Sequence, residues 1–231
     1  MLTQVSGTGF APGTVIVPTS GAPRFISFYH ALSDLQVPAG TRVSIGSSAD
    51  ICVNMNILMD EAIGDWVFIL GDDHTFDPDA LLRLLRHRLP AIVGLNVQRQ
   101  PPYWPVLLQG APGSSLKNLS WDDIPTGRGL WYPAKDMYPG NAGMLIQMDV
   151  IQRLEKPIFR AGQFTPGIVN EDIWLMHSLK QLGVPVPIDL SVCLGHSANL
   201  TAKPILTETG WRVQFDYSRG KTAFKITPKS P

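Results

Sequence analysis

Short apolar runs alternate with amphipathic stretches through the first half of the chain. Runs rich in apolar and β-branched residues predict strands over residues 13–18, 41–47, 65–70 and 91–95. Apolar positions at helical spacing predict helices between and after these strands, over residues 24–35, 51–63 and 77–89. This alternation favours an α/β fold with a mostly parallel, nucleotide-binding-like central sheet.

The second half contains a long irregular segment followed by further strands and helices. Residues 101–143 are rich in Pro, Gly, Trp and Tyr and show no sustained periodicity, which is typical of functional loops. After it, the pattern predicts strands over 144–148 and 184–188, a helix from about 149, and a helix over 171–182. Residues 211–227 alternate like a strand, and the pattern leaves open whether they cover a site, complete the sheet or pair with another chain.

Length and composition fit one globular domain, which we expect over residues 1–199 with a C-terminal extension over 200–231 packed on it. The 19 basic and 19 acidic residues cancel, so no global field attracts nucleic acid or an anionic membrane. We expect a soluble, cytoplasmic protein, because no membrane-length apolar run and no export signal pattern is present. Cys52 and Cys193 are expected to be reduced thiols.

Two adjacent carboxylates and an imidazole follow the third predicted strand, in the run Gly71-Asp72-Asp73-His74. Adjacent carboxylates repel unless a cation lies beside them, and after a strand of an α/β sheet this cation is commonly a divalent metal carrying phosphate. Both Asp residues would also suit an ordinary turn. The chain lacks Gly-x-Gly-x-x-Gly and a Walker-type lysine loop, which argues against a dinucleotide oxidoreductase and a P-loop nucleotidase.

Three more motifs follow this turn in order: Gly140-Asn141-Ala142-Gly143, Asn170-Glu171-Asp172 and Leu194-Gly195-His196. The ordered set resembles the small metal-dependent glycosyltransferases of the GT-A fold, in the family 2-like group often encoded by phages and bacteria. The resemblance covers about residues 13–197. It implies a single Rossmann-like nucleotide-diphospho-sugar transferase domain, a nucleoside-diphosphate sugar as donor, and Mn²⁺ or Mg²⁺ as cofactor.

The resemblance implies two alternative sets of metal ligands. In the first, which we favour, Asp73 ligates the metal and Asp72 holds the ribose or sugar. In the second, Asp72 and His74 are ligands, as in the Asp-x-His variant of some relatives. His196 matches the late histidine that completes the metal shell in the family. Gly71 stands where the family commonly has an Asp, which would reduce the metal site.

The resemblance also implies catalytic and donor-binding residues. Asp172 matches the carboxylate that takes the proton of the acceptor hydroxyl in inverting relatives, and Glu171 would orient the acceptor or share that role. A hydroxyl that displaces a nucleoside diphosphate needs such a base, although acidic residues also favour helix N-termini. Backbone amides of the glycine turn would approach the phosphate or sugar. The donor-side candidates are Pro18, Thr19, Ser20, Ser47, Asn56, Asp72, Gly140, Asn141 and Gly143.

The function implied by the resemblance is metal-assisted, inverting glycosyl transfer with Asp172 as base. The resemblance does not specify the acceptor, for which a glycan and, in a phage-derived protein, a modified base in DNA are the candidates. One alternative is a catalytically degraded protein that binds sugar nucleotide or glycan, which Gly71 supports. Another is a sugar nucleotidyltransferase, although residues 21–24 are a poor match to the Gly-rich basic loop such enzymes need.

Overall fold

The computed structural model describes residues 2–19, 25–99, 102–110, 115–164, 167–197, 201–217 and 220–225. Within them it has the helices α1 (Ile26–Asp34), α2 (Ile51–Asp60), α3 (Ala80–Arg86), α4 (Met148–Ile151) and α5 (Glu171–Gln181). The strands of the first half are β1 (Thr3–Val5), β2 (Thr14–Thr19), β3 (Gln36–Pro38), β4 (Arg42–Ser47), β5 (Trp66–Ile69), β6 (His74–Thr75), β7 (Ala91–Asn96), β8 (Leu107–Gln109) and β9 (Lys117–Asn118). Those of the second half are β10 (Leu130–Trp131), β11 (Met137–Pro139), β12 (Met144–Gln147), β13 (Gly162–Phe164), β14 (Gly167–Val169), β15 (Ile188–Ser197), β16 (Thr201–Thr207), β17 (Gly210–Tyr217) and β18 (Gly220–Lys225).

The main sheet has the strand order β18-β17-β16-β15-β7-β12-β5-β2-β4. β2 pairs in parallel with β4 and β5, and β7 pairs in parallel with β15. β12 lies antiparallel between β5 and β7, and β15 to β18 follow one another as antiparallel neighbours. The sheet is therefore mixed, which corrects the expectation of a mostly parallel sheet.

The connections explain this mixture. A helix joins β2 to β4 and another joins β4 to β5, as parallel neighbours require. The described part of the connection from β7 to β12 contains only short strands and a 3-10 turn at Trp121–Asp123, so no α-helix there carries the chain back across the sheet. β12 therefore returns in the opposite direction to β7.

The strands β2, β4, β5, β7 and β15 point the same way, so their carboxyl ends share one edge of the sheet. The amino end of β12 reaches that same edge because β12 is antiparallel. The turn after β5, the glycine turn before β12 and the end of β15 thus meet there. The sheet therefore brings three of the four predicted motifs to one edge.

Apolar side chains on both faces of the sheet form two cores. In β5, Trp66 and Phe68 face the core that contains helices α1 and α3, whereas Val67 and Ile69 face the core that contains α2 and α5. All four side chains are buried. Burial on both faces is why this strand reads as a continuous apolar run in the sequence.

Several element boundaries differ from the predictions. α3 begins at Ala80 rather than near Asp77, with Asp79 as its N-cap residue. Asp77 instead forms ion pairs with Arg83 at 2.7 Å and Lys203 at 3.1 Å. The strand predicted over 184–188 begins only at Ile188 and runs on to Ser197. β17 and β18 extend the main sheet. Among the described helices, none combines the length and the apolar character needed to cross a bilayer.

Candidate metal centre and adjoining cavity

Asp73, His74 and His196 form a cluster at the carboxyl edge of the sheet. Asp73 lies in the turn after β5, and β6 pairs with β15 so that His74 stands opposite His196. The backbone of Ser197 donates to the carbonyl of Asp73 at 2.7 Å. The two imidazole rings stack, with centroids 4.4 Å apart. Backbone pairing therefore fixes all three side chains.

The carboxylate of Asp73 is the centre of this cluster. Its Oδ1 lies 3.0 Å from His74 Nδ1, and its Oδ2 lies 3.1 Å from His196 Nε2. Arg99 Nη1 donates to the same Oδ2 at 2.8 Å. Burial pushes the pKa of Asp73 up, but the hydrogen bonds from His196 and His74 outweigh burial and hold the pKa well below its usual range. Asp73 is thus ionised at neutral pH.

Both histidines suit a metal ion. Burial lowers the pKa of His74, and this effect outweighs the opposing hydrogen bond with Asp73, so its imidazole is neutral at neutral pH. His196 Nδ1 lies 3.0 Å from the carbonyl of Val97. If His196 donates from Nδ1 to that carbonyl instead of from Nε2 to Asp73, its Nε2 can bind a cation that lies between it and Asp73 Oδ2.

The donor set fits a divalent cation. The ligand atoms of Asp73, His74 and His196 all lie within 4.8 Å of one another. The cluster contains Asp73 of the favoured ligand set and His74 of the alternative set. Asp72, the other ligand of the alternative set, lies outside the cluster. Two imidazoles and one carboxylate suit Mn²⁺ better than Mg²⁺, which prefers oxygen ligands.

Gly71 has a steric role in this centre. A Cβ at this position would lie 2.6 Å from His74 Nδ1 and 3.1 Å from Asp73 Oδ1. Any larger residue would therefore displace the His74 ring. The glycine that departs from the family pattern leaves room for this ligand arrangement, and the expectation that it reduces the metal site stays a prediction.

A cavity of about 340 Å³ adjoins the cluster, and its volume lies within the usual range for small-molecule sites. It brings together seven of the predicted site residues: Pro18, Thr19, Asp72, Asp73, His74, Asn141 and Glu171. Ser20, another predicted donor-side residue, lies outside the described residues. The cavity therefore joins the metal cluster to the start of α5.

Apart from Nδ1 of His74, which lies in its ion-pair contact with Asp73, two buried polar atoms in the cavity wall have no hydrogen-bond partner among the described residues. They are Oδ2 of Asp72 and Nδ2 of Asn141. Buried polar atoms are almost always paired, so an acceptor and a donor left open in a cavity wall indicate a polar ligand.

The structure places Ser47 and Asn56 away from the cavity wall. Ser47 is exposed at the end of β4, opposite Thr19. Asn56 Nδ2 donates at 2.8 Å to the carbonyls of Cys52 and Phe159, and its Oδ1 accepts from the amide of Phe159 at 3.0 Å. Instead, the buried Asn54 donates to the carbonyls of Thr19 and Gly46 and ties the ends of β2 and β4 together.

Two backbone amides of the glycine turn, those of Gly140 and Gly143, are used within the fold. The amide of Gly140 donates to the carbonyl of Val106 at 3.1 Å, and that of Gly143 donates to the carbonyl of Ile69 at 2.7 Å. Gly143 has φ +73°, and a Cβ there would lie 2.7 Å from the Leu194 side chain. These glycines allow close packing of the turn. Within the turn, Nδ2 of Asn141 is the buried side-chain atom without a hydrogen-bond partner among the described residues.

Asp172 lies beside the cavity at the start of α5. Its Oδ1 accepts from the amide of Ile173 at 2.7 Å, and its Oδ2 is 3.8 Å from the point where a Cβ of Gly140 would be. Burial, and then the negative charge of Glu171, raise the pKa of Asp172 to about 6. Such a carboxyl group is ionised at neutral pH and accepts a proton more readily than an ordinary aspartate.

Arg99 is the site residue that the sequence analysis missed. It follows β7, whose carboxyl end lies at the same edge of the sheet as Asp73. Its contact with Asp73 spans 26 residues of sequence. No local pattern marks it, and only the expectation that strand ends converge at this edge would have suggested it.

Comparison with solved structures shows a shared fold. A crystal structure of A197 from STIV aligns with a TM-score of 0.54 at 15% identity, over 88% of this chain and 94% of that chain. GalNAc-T7, crystallised with UDP, GalNAc and Mn²⁺, aligns at 0.48 and 10% identity over 84% of this chain, which spans 44% of that chain. The inositol-1-phosphate CTP transferase from T. maritima aligns at 0.40 and 11% identity, over 78% of this chain and 87% of that chain. The last two TM-scores are too low to support an argument, and the likeness to A197 shows the fold alone.

No family model matches this chain, and no curated protein matches it.

Proposed function

We propose that this protein is a metal-dependent glycosyltransferase that moves a sugar from a nucleoside-diphosphate sugar to an acceptor hydroxyl. The observation that carries this proposal is the continuity of the Asp73–His74–His196 cluster with one cavity whose wall reaches Glu171. A cation-binding group, a cavity for a polar ligand and a carboxylate of raised pKa lie together, as this reaction requires. The resemblance of the four motifs supports the same assignment.

The donor would lie in the cavity. Asp73, His74 and His196 would hold Mn²⁺, which supplies positive charge to stabilise the leaving diphosphate. Asp72 Oδ2 and Asn141 Nδ2 would bind hydroxyl and carbonyl groups of the donor, because both atoms are buried and open. Pro18 and Thr19 would form the nucleoside end of the wall.

Asp172 would act as the base. As the acceptor oxygen bonds to the anomeric carbon of the sugar, Asp172 takes the hydroxyl proton, the bond from that carbon to the diphosphate oxygen breaks, and the nucleoside diphosphate leaves as the anion. Direct displacement inverts the anomeric centre. Glu171, in the cavity wall beside Asp172, would keep the pKa of Asp172 raised and orient the acceptor.

The test is release of nucleoside diphosphate from UDP, GDP, TDP, ADP and CDP sugars in the presence of Mn²⁺. We expect slow release from one donor, with water in place of the acceptor, and a loss of about 100-fold or more in Asp172→Asn with donor binding retained. Asp149→Asn is the control, because Asp149 is an exposed acid in the first turn of α4.

Other outcomes identify the alternatives. Donor binding without any release in the wild type would indicate a binding protein. Exchange that requires inorganic pyrophosphate would indicate a nucleotidyltransferase. Absence of binding to every donor would overturn the assignment.

A further inference from the structure

The guanidinium of Arg99 forms an ion pair with the carboxylate of Asp73. Arg99 Nη1 lies 2.8 Å from Asp73 Oδ2, the oxygen that also lies 3.1 Å from His196 Nε2. The Asp73 side chain is 11% exposed and that of Arg99 is 38% exposed. A buried carboxylate at the centre of the cluster is thus paired with a long side chain that reaches it from the solvent side.

A guanidinium and a divalent cation compete for this carboxylate. A cation between Asp73 and His196 would use Asp73 Oδ2, the oxygen that Arg99 contacts, and two positive charges this close repel each other in a partly buried site. Arginine does not lose its proton in proteins, so deprotonation cannot remove the conflict. The Arg99 side chain therefore has to move when a metal ion binds.

We propose that Arg99 is an exchangeable counter-cation of Asp73, which it releases to a divalent metal and then uses to bind the diphosphate of the donor. The first step concerns the metal alone. The second step rests on the proposed function, because the diphosphate is the anion that arrives next to the metal. A planar guanidinium is well suited to it, since its paired N–H groups match phosphate oxygens.

The proposed exchange gives Arg99 opposite effects on the affinities for metal and for diphosphate. Arg99 lowers the affinity of the free protein for metal, because the metal has to displace it. It raises the affinity of the metal-loaded protein for a diphosphate, because the displaced guanidinium gains an anionic partner. A residue that merely stabilised the fold would not act in opposite directions on the two ligands.

The first experiment measures Mn²⁺ affinity calorimetrically on metal-stripped protein. We expect Arg99→Gln to bind Mn²⁺ about tenfold more tightly than the wild type, since a charge-assisted contact no longer has to be broken. Arg99→Lys keeps the charge and should stay closer to the wild type. Arg160→Gln is the matched control, because Arg160 is 36% exposed and pairs with Glu155 at 3.1 Å. Unchanged or weaker Mn²⁺ binding by Arg99→Gln would overturn the proposal.

The second experiment titrates UDP, GDP, TDP, ADP and CDP into the same proteins at saturating Mn²⁺. We expect the nucleotide that the wild type binds to bind Arg99→Gln about tenfold more weakly, and Arg160→Gln normally. Equal nucleotide affinity in Arg99→Gln would overturn the diphosphate step. If no nucleotide binds the wild type, the proposed function and the diphosphate step both fail, and the Mn²⁺ titration still decides whether Arg99 is a counter-cation.

Discussion

Asp73 and His196 lie 123 positions apart in the chain, yet Asp73 Oδ2 is 3.1 Å from His196 Nε2. The pairing of β6 with β15 brings them together, because it sets His74 directly opposite His196. The contact joins the turn after β5 to the end of β15. The candidate metal cluster therefore depends on the assembly of the sheet, and it is complete only in the folded protein.

Gly71→Ala should weaken metal binding. The added Cβ would lie 2.6 Å from His74 Nδ1, so the ring has to move away from Asp73. We expect a loss of about 1 to 3 kcal/mol in the free energy of unfolding and of about tenfold in Mn²⁺ affinity. Calorimetry and denaturant unfolding measure the two effects.

Gly183→Ala is the control for this prediction. Gly183 has φ +71° and open space around it, so alanine there costs stability without touching the cluster. Its Mn²⁺ affinity should equal that of the wild type. Wild-type Mn²⁺ affinity in Gly71→Ala would show that His74 is not a ligand.

Turnover should depend on the ionisation of Asp172. Because the pKa of Asp172 is raised to about 6, donor breakdown should rise with pH through about 6 and then level off. Glu171→Gln removes a negative neighbour that raises this pKa, so the rising limb should move to lower pH. The measurement is the rate of nucleoside diphosphate release from pH 5 to 8 in the two proteins. If the rate rose over the same pH range in both proteins, Asp172 would not be the base.

The free energy of unfolding should also depend on the ionisation of Asp172, and it should fall with rising pH where turnover rises. The pKa of Asp172 is raised from 3.8 to about 6 in the folded protein, so between these values the native state holds a proton that the unfolded state has lost. The contribution of Asp172 to the free energy of unfolding therefore falls as pH rises through this window.

Asp172→Asn removes this dependence. Above pH 6 the variant should be more stable than the wild type by about 1 to 2 kcal/mol, and at pH 4 this advantage should shrink. Urea unfolding at pH 4 and pH 8 measures the difference. An advantage of equal size at both pH values would show that the effect does not come from titration of Asp172.

Asp72→Ala should separate binding from stability. Asp72 Oδ2 is buried without a partner, so the unliganded protein gains nothing from that atom. We expect the free energy of unfolding to stay constant or rise by up to about 1 kcal/mol, while donor affinity falls about tenfold. Unfolding and donor titration of the same preparation measure both quantities. A large loss of stability would mean that Asp72 supports the fold rather than a ligand.

The sequence predicted β2, β5 and β7 because they are buried on both faces and read as apolar runs, whereas the edge strand β4 is only partly buried. It also located α5, whose observed start at Glu171 and C-terminal Gly183, with φ +71°, match the predicted signals. The antiparallel direction of β12 has no local signal, since it depends on how residues 97–143 return across the sheet. The start of β15 was misplaced because residues 184–187 read as apolar, although Pro185 and Pro187 cannot donate to a strand ladder and pairing begins only at Ile188.

The sequence pointed to the three residues of the cluster but not to their contacts. Asp73, His74 and His196 all lay in motifs that the sequence made visible, and the fold brings them into one cluster. The contact of Arg99 with Asp73 crosses from one strand end to another, and sequence spacing does not encode it. The amides of Gly140 and Gly143 are used within the fold, which only the packing around them reveals.

The most direct test of the account is thermal unfolding of metal-stripped protein with UDP, GDP, TDP, ADP and CDP sugars, each with and without Mn²⁺. We predict that donors of one base raise the unfolding temperature only with Mn²⁺, by an amount equivalent to about 2.7 kcal/mol at 100 times the dissociation constant. Asp73→Ala and His196→Ala should abolish this shift. His87→Ala should keep it, because His87 pairs with Asp189 outside the cluster. Equal stabilisation without Mn²⁺, or no shift with any donor, would contradict a metal-dependent sugar-nucleotide site.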